Sequence, residues 1–180
     1  MKNTTTLFVA FSHNLTPSQI EGFKMQYGTF VPAEYMLEGN GGIEVEGGME
    51  MTCPAYYDAN IVTLNEVEPE LQQKMKNIPA NATLVEIQEL AKAIVAEAVK
   101  AGASHFFCTG EPTLTLWANL YAGNHCFLKY RKDIEDYLPF GKELKCIQST
   151  TERTSVEEVQ KDGSVVKRSI FNHIQWREMF

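Results

Sequence analysis

Two stretches of this sequence follow a nearly continuous apolar run with a helix-start signal, and that pairing restricts the chain to folds built from strand, loop and helix. The first is Thr5-Thr6-Leu7-Phe8-Val9-Ala10-Phe11, dense in β-branched and aromatic residues, as expected of a strand buried on both faces of a parallel sheet. Thr16-Pro17-Ser18-Gln19 then supplies an N-cap threonine, a proline at the first helical position and a glutamine placed for a capping box. Ile20, Phe23 and Tyr27 fall on one face of the helix that follows, and Gly28 is expected to end it in the left-handed conformation.

The second stretch is His105-Phe106-Phe107-Cys108-Thr109, followed by Gly110-Glu111-Pro112-Thr113 and a helix bearing Leu114, Trp117 and Tyr121. Before it, Thr83-Leu84-Val85-Glu86 is another capping box, and Leu84, Ile87, Leu90, Ile94 and Ala98 mark an amphipathic helix closing at Gly102. Cys146-Ile147-Gln148 reads as a last parallel strand. Thr154 to Val159 and Val165 to Phe171 flank the hairpin signal Lys161-Asp162-Gly163. A further strand is expected over Thr29 to Val31. Glycines from Gly39 to Gly48 break any periodicity, so residues of about 35–65 read as an insertion, as do 123–143, with a short helix within the latter around Asp133 to Leu138. The expected architecture is α/β: a Rossmann-like, mainly parallel sheet flanked by helices with a C-terminal β-hairpin, one domain over residues 1–180.

Composition narrows the function classes. At 44% apolar and 11% aromatic residues the chain carries enough material for one core. A formal charge of −7 argues against a general duplex-nucleic-acid binder, although a small anion is compatible with it. No apolar run approaches the ~20 residues of a membrane helix, so a cytoplasmic protein without a membrane partner is expected. Cys53, Cys108, Cys126 and Cys146 have no Cys-x-x-Cys spacing, and His125 beside Cys126 lacks further ligands; no metal or other cofactor is implied. The run Glu66-Val67-Glu68-Pro69-Glu70 reads as a solvated helix start.

In open parallel sheets, ligands sit outside the carboxyl ends of the strands, and three polar clusters fall there. Ser12-His13-Asn14 precedes a capped helix whose free N–H groups could meet an anion, although from pattern alone capping and turn formation account for it better. Thr109-Gly110-Glu111-Pro112-Thr113 combines a glycine that permits close backbone approach with hydroxyls suited to phosphate or ribose. It lacks the glycine count of a dinucleotide fingerprint and the lysine of a P-loop, and Glu111 or Thr113 can equally be a helix cap. Ser149-Thr150-Thr151-Glu152-Arg153 sets hydroxyls, a carboxylate and a guanidinium in series, with Arg153 free to pair with phosphate or with Glu152. His173 reads equally as a surface histidine, and His105 as a structural one.

Taken in order, these clusters resemble the small standalone ring nucleases of type III CRISPR systems, which have a CARF-like fold. Phe8-Val9-Ala10-Phe11-Ser12-His13-Asn14-Leu15-Thr16 is similar to that family's opening strand, Ser-His pair and helix cap. Ser149 to Arg153, Val156-Glu157-Glu158-Val159, Asp162-Gly163-Ser164-Val165 and Ser169 to Glu178 resemble its closing strand and ribbon. Thr109-Gly110-Glu111 fits its central turn, whereas Pro112-Thr113 departs from it. The resemblance implies a cyclic oligoadenylate partner, most plausibly cyclic tetra-adenylate, bound by a homodimer. It also implies metal-independent linearisation by ribose 2′-hydroxyl attack, which would switch off signalling. On that reading Ser12, His13 and Arg153 act in catalysis, while Asn14, Thr109, Gly110, Glu111, Thr113, Ser149, Thr150, Thr151 and His173 contact the ring. A non-catalytic sponge for the same messenger and a small nucleotide transferase are the alternatives.

Overall fold

The computed structural model describes residues 5–31, 56–123, 144–160 and 164–179. Its main sheet contains β1 (Thr6–Phe11), β4 (Asn60–Thr63), β5 (His105–Thr109), β6 (Lys145–Val159) and β7 (Val165–Glu178), in the order β4-β1-β5-β6-β7. The first four strands run parallel, and β7 returns antiparallel to β6. A separate antiparallel pair joins β2 (Thr29–Val31) to β3 (Tyr56–Asp58). The helices are α1 (Pro17–Tyr27), α2 (Leu64–Val67), α3 (Pro69–Lys76), α4 (Leu84–Lys100) and α5 (Pro112–Ala122). The α/β sheet with flanking helices and terminal hairpin is thus present.

Alternation along β1 divides the core between the two faces of the sheet. Leu7 and Val9 join Phe23 of α1 with Phe107, Ile147 and Trp176. Phe8 and Ala10 point the other way, into a larger cluster with Ile87, Ile94 and Ala98 of α4 and Leu114 and Ala118 of α5. The chain leaves β1 towards β4 on one side, then crosses to β5 on the other. With crossovers of one hand, that reversal sends α1 and α4 to opposite faces. The switch point therefore lies between the carboxyl ends of β1 and β5.

Local chemistry accounts for the helix ends. Thr16, Thr63 and Thr83 each form a complete capping box, worth about 1 kcal/mol apiece. Glu66, Glu68 and Glu70 sit at the starts of α2 and α3, as the acidic run suggests. Gly102 ends α4 at φ +70°.

Four expectations are corrected. Gly28 follows α1 in an extended conformation, φ −67°, and its glycine is required by space: a Cβ there would lie 2.3 Å from the Lys24 carbonyl. Leu84, in the first turn of α4, stands 52% exposed and does not join the apolar face. Residues 60–63 are not inserted: β4 is the parallel edge strand of the main sheet, and its one exposed and three half-buried residues carry too little apolar pattern to be read as one. The part of that stretch before β3, residues 124–143 with their expected helix, Cys53, Cys126, His125 and the turn Lys161-Asp162-Gly163 lie outside the described residues. Finally, Cys146-Ile147-Gln148 does not end a strand. β6 pairs with β5 only through Lys145 and Cys146, then continues for the length of the hairpin as one partner of β7. Among the described residues no helix is long and apolar enough to cross a membrane.

Candidate functional site

Where β6 parts from β5, the ladder is replaced by a side chain: Gln148 Nε2 donates to the Cys108 carbonyl at 3.2 Å. Beyond that point β6 and β7 rise from the sheet as a ribbon and pass beside the N-terminal end of α1. A groove of about 280 Å³ opens between them. Phe11, His13 and Asn14 form one wall, Thr16 and Gln19 of α1 the floor, and Thr151, Phe171 and His173 of the ribbon the other wall. Two of the sequence clusters, distant in the chain, therefore meet.

A hydrogen-bonded chain holds this meeting together. Gln19 closes the capping box by accepting from the Thr16 N–H at 2.9 Å, while its Nε2 donates to Ser149 Oγ at 3.1 Å. Ser149 Oγ lies 2.8 Å from His173 Nδ1. The other ring nitrogen of His173 has no hydrogen-bond partner among the described residues and is buried against α1, where a Cβ on Gly22 would approach it to 2.7 Å. Burial lowers the His173 pKa from its ordinary value, as desolvation penalises the imidazolium. Neither nitrogen of this ring is open to a ligand. His173 is thus a half-buried wall residue, neither a free surface histidine nor a ready base.

A β-bulge makes this possible. The register shifts between Thr150 and Thr151, so that Thr150 faces Gln175, Thr151 faces His173, and Ile174 is left over. His173 and Trp176, three apart, consequently point to the same face, where perfect alternation would separate them. Trp176 is 1% exposed, donates from Nε1 to the Gln19 carbonyl at 3.0 Å and packs edge-on to Phe23 and Phe107. Gln19, Gly22 and Trp176 all shape the site yet are unremarkable in sequence, being a capping residue, a helix glycine and an apolar anchor.

Alternation on β6 also separates the hydroxyls. Ser149 and Thr151 face α1, whereas the Thr150 hydroxyl donates to the Gln175 carbonyl at 3.0 Å across the ribbon. Arg153 does not line the groove. Its guanidinium donates twice to Ser169 Oγ, at 2.9 and 2.7 Å, and lies 5.7 Å from the centre of the Phe171 ring. It braces the wall that Phe171 presents.

The cluster Thr109 to Thr113 stands apart from the groove. Gly110 adopts φ +156°, and Glu111 spends its carboxylate on α5, accepting from the Thr113 and Leu114 N–H groups at 3.0 and 2.6 Å. Burial would raise the Glu111 pKa, but these bonds outweigh it and hold the carboxyl below its ordinary value. Thr109 and Thr113 are half-buried at the ends of β5 and the start of α5. Glu111 is thus the N-cap of α5.

A second, smaller pocket of about 90 Å³ lies beside the first, on the β4 side of the Phe11-to-Asn14 loop. Ser12, His13 and Asn14 meet Thr63, Asn65, Gln72 and Lys76 there. His13 is exposed, sits edge-on to Phe11 and borders both pockets. Among the described residues no group of three or more His, Cys, Asp or Glu is arranged to hold a metal.

A model described as the Uncharacterized protein MJ1673 family matches residues 134–177. The match takes in β6 and most of β7, hence Ser149, Thr151, Phe171 and His173. No curated protein and no solved structure matches the chain.

His105 has the structural role its apolar surroundings suggest. Its Nδ1 lies 3.0 Å from Ser104 Oγ and its ring packs on Phe23 and Tyr27, 4.5 Å from the latter. Burial, then the nearby Lys145 charge, push its pKa down to about 4.

Proposed function

We propose that this protein binds a cyclic oligoadenylate, cyclic tetra-adenylate in particular, and linearises it without a metal. The observation that carries the reading is the convergence of His13 and Asn14, which follow β1, with Thr151 and His173 of the ribbon around one groove. Groove geometry suits a nucleotide. Phe11 and Phe171 offer flat apolar surfaces for a base, while Asn14 and Thr151 offer hydrogen bonds.

In the proposed reaction a ribose 2′-oxygen attacks the adjacent phosphorus in line, forming one P–O bond as the P–O5′ bond breaks. The products are a 2′,3′-cyclic phosphate and a 5′-hydroxyl; the proton lost by the 2′-hydroxyl balances the one gained by the leaving oxygen. His13, exposed at the boundary of both pockets, is the group suited to move that proton. Alignment of nucleophile and leaving group then supplies much of the acceleration.

A twofold dimer would match the symmetry of a four-membered ring. The ribbon offers surface for it, since Val156, Ile170, Phe171 and Ile174 are all exposed. One observation favours binding without cleavage: Arg153 is engaged on the ribbon and His173 has no open nitrogen, which leaves His13, among the described residues, as the one imidazole at the groove able to reach a ligand, with no guanidinium beside it.

The deciding experiment incubates the purified protein with cyclic tetra-adenylate in EDTA, following binding by calorimetry and products by chromatography. Tight binding with conversion to a linear product is expected. Tight binding with an intact ring over hours would make the protein a sponge, and absence of binding would overturn the reading altogether.

A further inference from the structure

We infer that the smaller pocket is a second half of the ligand site, in which Gln72 accepts a hydrogen bond from a ribose 2′-hydroxyl of the ring and Lys76 holds the adjacent phosphate. This assignment rests on the oligoadenylate reading above. Gln72 is 2% exposed and lines the pocket. Its Nε2 donates to the Phe11 carbonyl at 2.7 Å, and since that carbonyl can only accept, the amide orientation follows. Oε1 is thereby left as a buried acceptor, and no donor reaches it among the described residues. Such a group strongly favours a ligand that brings a donor.

The pocket's size limits what that donor can be. At about 90 Å³ it is far below the roughly 300 Å³ at which sites for whole drug-sized molecules begin, so only a fragment of a nucleotide fits. A 3′,5′-linked adenylate ring carries two kinds of hydrogen-bond donor, the purine amine and the 2′-hydroxyl. Of the two, the hydroxyl comes with a phosphate beside it. Lys76, exposed at the same pocket, supplies the positive charge that phosphate needs, and the Ser12 and Thr63 side chains flank it. His13 then stands between a base in the larger groove and a ribose-phosphate in the smaller one.

The test compares the full chain's affinity for cyclic tetra-adenylate, its all-2′-deoxy counterpart and adenosine, at mixing times shorter than turnover. The wild type is expected to prefer the ribose ring to the deoxy ring by about tenfold or more, as the deoxy ring leaves the Gln72 acceptor unpaired. Gln72→Met should erase that preference by weakening only the ribose ring. Lys76→Ala, an exposed substitution that leaves the core untouched, should weaken both rings about 10- to 100-fold and leave adenosine unchanged. A ribose preference that survives Gln72→Met, or rings bound normally by Lys76→Ala, would overturn the assignment while leaving the larger groove's role intact. A wild type that binds neither ring would overturn both. Should Gln72→Met lose its cooperative melt, the Lys76→Ala result decides.

Discussion

Replacing Gly22 by alanine sets helix propensity against packing, and the structure fixes which should win. In the interior of α1, alanine is favoured over glycine by about 1 kcal/mol. Here, however, the new Cβ would lie 2.7 Å from His173 Nε2 and 3.1 Å from its Cδ2, where ordinary contact begins near 3.4 Å. Those are atoms of a rigid ring whose other nitrogen is tied to Ser149 at 2.8 Å, so the ring cannot withdraw without disturbing that bond. Overpacking of this kind costs about 1–3 kcal/mol, so the net effect is a loss of up to about 2 kcal/mol. For a chain of this size that is a fall in Tm of about 2–4 °C per kcal/mol. Thermal melts of Gly22→Ala, His173→Ala and the double variant check it. The double variant should be more stable than the sum of the two singles by about 1 kcal/mol or more, because the clash is gone. A Gly22→Ala protein that melts higher than wild type, with additive singles, would mean that His173 does not pack on α1.

The Glu111 carboxylate should behave as a structural cap: Glu111→Ala should cost about 1 kcal/mol, read from urea midpoints at neutral pH, with ligand affinity unchanged. Since its folded pKa lies below the ordinary 4.5, that stabilisation is complete above 4.5 and is lost as the pH falls through the lower folded value, so the gap between variant and wild type should narrow in acid. His105 acts in the pH range above. With its pKa pushed down from 6.5 to about 4, the unfolded chain takes up the proton first, so stability should decline from pH 6.5 towards 4 and His105→Gln should flatten that decline. At the groove, His13→Ala should slow ring cleavage by about 100-fold or more while affecting affinity far less. Arg153→Ala should instead weaken binding and cleavage by the same factor, because the guanidinium braces Phe171 and does not face the groove. Single-turnover rates and calorimetry on the two variants separate these outcomes.

Much of this molecule is legible along the chain because its signals are local. Thr16 and Thr83 cap their helices through residues three positions away, and the apolar runs of β1 and β5 can be satisfied only by burial on both faces. Alternating strands and helices then imply the parallel sheet and place Ser12 to Asn14 at its carboxyl edge. What tertiary structure alone decided depends on partners far away in sequence. β4 is a strand because β1 lends it a ladder, which its own four residues hardly announce. A single leftover residue, Ile174, turns His173 towards Ser149 and α1, and no pattern in the ribbon sequence reveals a bulge. Arg153 went to Ser169 and Phe171, Glu111 to its own helix, and Gln72 from α3 to the end of β1, because each polar group took the partner that folding brought nearest. Sequence lists the groups able to bind; which of them are left over for a ligand is settled only after the fold has satisfied the rest.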